Sequence, residues 1–197
     1  KAKAFGIETP KGLLLIGVTG CGKSLTAKAI AGGKRPLLRL DFGALMGPKL
    51  GQSEGNLRQS LSVVDAVGEC VFWMDEVEKG VSGYQSSGMT DGGTTAKMLG
   101  TLLTWTEERK SAAYPVATAN DPSALPPELL SRFDAIFFVD LPTVQERSDI
   151  LEIHLSKRNR KPADFDLKAI AQAMDGFAGS EVETAVKGGL FRAFNAG

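Results

Sequence analysis

The sequence predicts an α/β protein in which helices cover both faces of a parallel sheet, followed by a small all-helical domain. Three observations predict it. Short apolar segments alternate with helical patterns through the first 140 residues, the order that builds parallel sheets. After Asp140-Leu141-Pro142-Thr143 the strands cease and three helical patterns follow. At 197 residues and 43% hydrophobic content, the chain can fill one sizeable core and a smaller second one.

Taken in order, the run Leu13-Leu14-Leu15-Ile16 reads as a fully buried strand over 13–18, because it is short, continuous and bounded by glycines. Residues 24–31 are rich in helix formers. Further strands are predicted at 36–40, 71–75, 115–119 and 136–139, with helical patterns between most of them. In the second domain, helices are predicted over 144–157, 166–174 and 180–194, the first two joined by the polar, proline-containing connector KRNRKPADFD. The glycine- and serine-rich stretch 80–95 predicts a mobile loop. The expected domains are therefore 1–140 and 141–197. Because the chain starts at Lys1 rather than methionine and stops at Gly197 just after a helical pattern, a fragment of a longer protein is expected, with the second domain truncated.

Composition excludes several classes. Lys+Arg 23 balance Asp+Glu 23, so nothing argues for nucleic acid or an anionic membrane surface as the default partner. The two cysteines, Cys21 and Cys70, form neither a metal spacing nor a disulfide framework, which points to a reducing compartment. No apolar run is long enough to span a bilayer, and no secretory signal pattern is present.

Two motifs carry chemistry. Gly17-Val18-Thr19-Gly20-Cys21-Gly22-Lys23-Ser24 lies between a predicted strand and a predicted helix. This is the P-loop pattern, in which backbone N–H groups curl around phosphates at a helix N-terminus. Lys23 would reach the β- and γ-phosphates of a nucleotide and Ser24 would ligate Mg²⁺. The second motif is CVFWMDEVEKG, whose strand delivers Asp75 and Glu76 at its C-terminal edge, where ligands of open α/β sheets sit. An acidic pair after a strand also serves as a helix cap. With a P-loop upstream, Asp75 is placed to hold Mg²⁺ through its water shell, and Glu76 to orient and deprotonate an attacking water. Trp73 reads as core, since alternation places it among packed neighbours.

The chain resembles the AAA ATPases from TPKGLLLIGVTGCGKSLTAKAIA through ATANDPSALPPELLSRFD to GFAGSEVETAV. Within them, TAKMLGTLLTW and LPPELLSRFDAIFFVDLPTVQERSDILEIHL are similar to little-characterised AAA proteins of cyanobacteria and plastids. The resemblance implies a P-loop NTPase fold of AAA+ type, a three-layer parallel sheet followed by a helical lid. It implies Mg²⁺-dependent ATP binding and hydrolysis, with ADP as product, in a homo-oligomeric ring, a hexamer in the family. Nucleotide contacts are implied for Gly17, Thr19, Gly20, Cys21, Gly22, Lys23, Ser24 and Leu25.

Other roles implied by the resemblance lie outside the two motifs. Asn120 matches the polar residue that holds the attacking water together with Glu76, although a strand-end asparagine also serves turns. Arg132 matches the second of two arginines presented across a subunit boundary; Ser131 stands where a segment bearing the first is expected. His154, the one histidine, matches a residue packed on adenosine, and Gly179 and Ser180 lie in the segment that closes over the base. No arginine stands near them. A lone helical histidine is also commonly structural. Lys49 and Leu50 occupy the place of a pore loop that grips polypeptide, or form a plain surface loop, and 80–93 with Tyr84 is a candidate second pore loop.

The function expected is an ATP-driven remodeller of a protein substrate, located in the cytoplasm or the plastid stroma. A nucleic-acid-acting machine and a slow ATP-dependent switch are the alternatives.

Overall fold

A computed structural model describes residues 5–6, 9–45, 52–81 and 92–196. The pore-loop candidates Lys49, Leu50 and Tyr84, and most of the stretch predicted as a mobile loop, lie outside the described residues. The chain divides into two compact units, one of Lys1–Gly17 with Lys23–Phe138, the other of Val18–Gly22 with Val139–Gly197.

The first unit is built on a five-stranded sheet: β1 (Leu13–Gly17), β2 (Leu37–Asp41), β3 (Val71–Asp75), β4 (Tyr114–Ala119) and β5 (Ala135–Val139), in the order β2-β3-β4-β1-β5. The pairs β2–β3, β3–β4 and β1–β4 run parallel, so the predicted parallel α/β class holds. Burial follows sheet position. The inner strands β1 and β3 are buried at every residue, as continuous apolar runs require when both faces are covered. The edge strands β2 and β5 are only partly buried, and Phe137 and Phe138 on β5 are exposed.

Among the described residues, six α-helices belong to this unit: α1 (Lys23–Ala31), α2 (Phe42–Leu45), α3 (Gln52–Val67), α4 (Val77–Val81), α5 (Gly92–Glu108) and α6 (Pro127–Leu130). In α3, Leu57, Leu61 and Val64 are buried, the three- and four-residue spacing that turns one helical stripe inward. They join Leu14, Phe72 and Met74 of the sheet and Leu102 and Trp105 of α5 in one core. Each such side chain contributes roughly 1.5–3 kcal/mol by leaving water. Trp105 stands edge-on to Phe72 at 5.3 Å and donates its indole N–H to Asp65, which satisfies the one polar atom the ring brings into the core.

The second unit consists of α7 (Val144–Ser156), α8 (Leu167–Ala173) and α9 (Gly179–Asn195), with a 3₁₀ turn at Pro162–Asp164 inside the predicted connector. Helix α7 starts at a capping box: the Thr143 hydroxyl accepts from the Glu146 backbone N–H, and the Glu146 carboxylate accepts from the Thr143 backbone N–H. Asp166 caps α8 by accepting from the Ala169 N–H. Leu151, Leu155, Ala171, Val182 and Val186 form the unit's small core.

Arg147, 3% exposed, ties this core together. It donates to the carbonyls of Ala171 (2.9 Å) and Pro142 (2.7 Å) and pairs with Asp175 at 3.1 Å. Arg147→Met keeps the apolar stem but strands those two carbonyls. The expected cost is about 2–4 kcal/mol, read as a lower denaturant midpoint for the helical signal at an unchanged slope.

Candidate active site

The register of the sheet brings the C-terminal ends of β1, β4 and β3 side by side, with Ile16 opposite Ala119 and Met74 opposite Ala117. Gly17, Asn120, Asp75 and Glu76 therefore emerge along one edge. Asp75, 8% exposed, is held on both oxygens. From β2, Arg39 donates through Nη2 (2.7 Å) and Nε (3.2 Å) to Oδ2, while Thr118 on β4 donates its hydroxyl to Oδ1 at 2.8 Å. Arg39 in turn lies 4.9 Å from the Trp73 ring centroid, a cation–π contact that fixes the guanidinium plane. Trp73 is buried, as strand alternation predicts.

Glu76 follows at φ +52°, in the left-handed region. For a residue with a side chain this costs roughly 1–2 kcal/mol, a strain characteristic of functional sites. The Thr118 hydroxyl that donates to Asp75 also accepts from the Glu76 backbone N–H at 3.1 Å, so a single side chain seats both acids. On the Glu76 carboxylate, Oε1 accepts from Asn120 Nδ2 (3.2 Å) and Oε2 pairs with the Lys79 ammonium. The hydrogen bond that Lys79 donates to Glu76, together with the negative charge of that carboxylate, raises the Lys79 pKa above its ordinary value. Glu78, 8% exposed, accepts from the Asn120 backbone N–H and from Nδ2, both at 3.1 Å.

At the exit of β1, the Lys23 side chain folds back and donates to the Gly17 carbonyl at 2.7 Å. Lys23 is only 6% exposed, so its ammonium is held in place at the start of α1 rather than ranging through solvent. Gly22 stands at φ +99° with nothing within 4 Å of where a Cβ would be, so the backbone there can approach a ligand closely. Ser24 and Leu25 on α1, and Thr19 in the loop, are exposed. Within the first unit, a buried cation, a serine hydroxyl and a buried aspartate form a donor set that fits a nucleotide phosphate chain and Mg²⁺: Lys23 would hold the phosphates, and Ser24 and Asp75 the metal.

Cys21 is half-buried in this loop, whereas Cys70 is buried in the core and its thiol pKa is raised, chiefly by burial. Cys21 lies in the phosphate loop, two residues before the first residue of α1. Saturating MgATP is expected to slow alkylation of Cys21 at least tenfold, with Cys70 unreactive either way; peptide mass spectrometry after timed labelling reads both sites.

In the second unit, loop residue Gly20 and Ser180 meet directly: the Ser180 N–H donates to the Gly20 carbonyl at 3.2 Å. Gly20 has φ +88°, and a Cβ there would fall 2.1 Å from the Ser180 hydroxyl oxygen. Only glycine fits. Gly179 is less constrained, a Cβ there lying 3.2 Å from the Gly20 carbonyl oxygen. His154 Nδ1 lies 3.2 Å from Arg158 Nη1 and 3.7 Å from Glu183. Burial lowers the His154 pKa against the pull of Glu183, and a guanidinium donating to Nδ1 leaves the proton of the neutral ring on Nε2. Hydrogen bonds from Lys187 and Arg158 hold the Glu183 carboxyl down at about 2.

Arg132, after α6, pairs with Glu107 of α5 at 3.2 Å, and its Nε is buried without a hydrogen-bond partner.

Comparison with known proteins decides the family. Residues 13–141 match the family described as "ATPase family associated with various cellular activities (AAA)". The chain belongs to the AAA family. It is 46% identical over 195 residues to the "Uncharacterized AAA domain-containing protein ycf46" of Pyropia yezoensis, covering 97% of this chain and 39% of that protein. Proteins of the same description from Guillardia theta and Trieres chinensis are each 42% identical over 199 residues, covering 99% of this chain. They span 39% and 40% of those relatives respectively. The chain thus spans about two fifths of the length of the curated relatives it matches. Both the resemblance and the α/β P-loop fold of the AAA type hold.

Three residues at this AAA sheet edge were given no role by the motifs: Arg39 and Thr118, which lie outside them, and Glu78, which lies within the second. Each acts through a neighbour distant in sequence, Arg39 by 36 residues, Thr118 by 43 and Glu78 by 42. Only Glu78 left a signal, as a third acid in DEVE. Among the described residues, no helix is long and apolar enough to cross a membrane, and no cluster of three His, Cys, Asp or Glu could hold a metal ion on its own.

Proposed function

We propose that this chain is the ATP-binding and ATP-hydrolysing motor module of a longer, ring-forming protein remodeller, with 1–140 as its nucleotide-binding domain and 141–197 as its helical lid. The observation that carries this is the sheet edge where a buried Lys23, a doubly held Asp75 and a Glu76–Asn120 pair stand on adjacent strand ends. AAA membership supports it.

In this reading the loop amides from Gly17 to Ser24 and the Lys23 ammonium bind the phosphates, and Leu25 flanks them. Ser24 and Asp75 hold Mg²⁺, which neutralises charge on the β- and γ-phosphates. Glu76 accepts a proton from the attacking water through its carboxylate while Asn120 orients that water. Arg132 serves a neighbouring protomer's site, and His154, Gly179 and Ser180 serve the adenosine side. The protein works in the cytoplasm or the plastid stroma on a polypeptide substrate.

One observation favours a second reading, a slow ATP-dependent switch. Both oxygens of Glu76 are engaged, one by the Asn120 amide and the other by the Lys79 ammonium, and an oxygen held by a donor must release it before it can take a proton from water. Phosphate release from MgATP by the full-length protein separates the two. The motor reading expects Mg²⁺-dependent turnover whose specific activity rises with protein concentration as rings assemble. Tight ATP retention with turnover below one per hour at every concentration would select the switch.

A further inference from the structure

We infer that Glu78 is a positioning residue for the hydrolysis proposed above: it holds the Asn120 amide so that Asn120 in turn holds the Glu76 carboxylate. The inference rests on that reading of the site. Glu78 lies in the first turn of α4, two residues after Glu76, and is more than nine-tenths buried. Its Oε1 takes two hydrogen bonds from a single residue, the Asn120 backbone N–H and Nδ2, both at 3.1 Å. The same Nδ2 lies 3.2 Å from Glu76 Oε1.

The chemistry fixes the amide's orientation. An ionised carboxylate only accepts, so the amide atom lying between two carboxylates must be the nitrogen, whose two hydrogens go one to each acid. The Glu78 bond to the Asn120 backbone pins the residue at the strand end, and its bond to Nδ2 selects the rotamer from which the second hydrogen reaches Glu76. Without Glu78 the amide loses the bond that selects this rotamer, and its aim at the base is loosened.

Stability alone gives no reason for this arrangement. The second oxygen of Glu78, Oε2, is buried and has no hydrogen-bond partner, so the chain carries a desolvated carboxylate with half of its acceptor capacity unused. Glu76 beside it stands in a strained backbone conformation. Strain and an unsatisfied buried group within two residues of each other mark a site held for geometry rather than for packing.

A double-mutant cycle in the full-length protein tests this, with MgATP turnover and equilibrium binding of a fluorescent ATP analogue measured on each variant. Glu78→Leu removes the acceptor at similar size and is expected to lower kcat about 100-fold, the scale of a misplaced catalytic geometry, while analogue affinity stays within about twofold, since no phosphate contact is lost. Glu78→Gln keeps an acceptor oxygen and is expected to stay within about tenfold of wild type. In an Asn120→Ala background, Glu78→Leu is expected to cost nothing further, because its route to Glu76 is already gone. Should Glu78→Leu not fold, Glu78→Ala takes its place in the same cycle.

Wild-type kcat in the folded Glu78 variant, or a full additional 100-fold loss in the Asn120→Ala background, overturns the role of Glu78 and leaves the hydrolysis reading standing. Absence of Mg²⁺-dependent turnover in the wild-type protein overturns both.

Discussion

Lys23→Ala is expected to abolish ATP binding at concentrations that saturate the wild-type protein. The ammonium is buried and already bonded to the Gly17 carbonyl at the phosphate loop, so it is preorganised and loses little freedom when an anion arrives. Truncating one partner of a buried, charge-assisted pair costs about 2–5 kcal/mol. That corresponds to roughly 30-fold to several thousand-fold in Kd. Equilibrium titration with a fluorescent ATP analogue reads the loss directly. Wild-type affinity in this variant would remove Lys23 from the phosphate site. The fold itself should tolerate the change, because removing a buried cation also removes its desolvation cost; a thermal scan in the absence of nucleotide checks that the lost binding is not lost structure.

Arg132→Ala is expected to leave ATP affinity nearly intact and to lower hydrolysis by about 10³-fold or more, the range seen when an arginine supplied to a phosphoryl-transfer site is removed. Among the described residues Arg132 has the exposed Glu107 as its ionic partner, and its Nε is buried without a hydrogen-bond partner there, so the guanidinium keeps donor capacity beyond that contact. Mixing makes the test specific. Arg132→Ala protomers retain Glu76, and Glu76→Gln protomers retain Arg132. Combining the two inactive proteins should restore turnover at interfaces that pair the two intact halves. Mixed rings that form without regaining activity would show that Arg132 does not act on a neighbour, and would favour the slow switch.

What the sequence made legible, and what it hid, divides along a physical line. The strand 71–75 was readable because four apolar residues run unbroken into two acids, and the helices of the second unit because helical patterns alone follow Thr143. Asp75, Glu76 and Lys23 were readable because local spacing alone puts them at strand ends and loop exits. Thr118 was not, because its value lies in the register that sets β4 beside β3. Arg39 carried no signal in the sequence; only the pairing of β2 with β3 brings it within 2.7 Å of Asp75. The connector 157–166 read as irregular, and its 3₁₀ turn at Pro162–Asp164 follows from the proline, whose fixed φ suits a first helical position. Residues 18–22 looked like part of the first domain because they are contiguous with β1, yet they pack with the second unit; the Ser180–Gly20 hydrogen bond joins positions too far apart in the chain for any local pattern to link.

The central claim, that Glu76 is the base of an ATP-hydrolysing site, is tested most directly by the fate of bound nucleotide in a single turnover. Wild-type and Glu76→Gln full-length proteins are each loaded with a substoichiometric amount of γ-labelled ATP, started with Mg²⁺, and quenched over time. Glutamine preserves a hydrogen-bonding side chain but cannot take the proton, so the account predicts equal ATP loading. Conversion to ADP and phosphate should proceed in the wild-type protein and be slower by about 10²–10⁴-fold in the variant, the usual contribution of a general base. Equal loading followed by equal rates of conversion in the two proteins would contradict it.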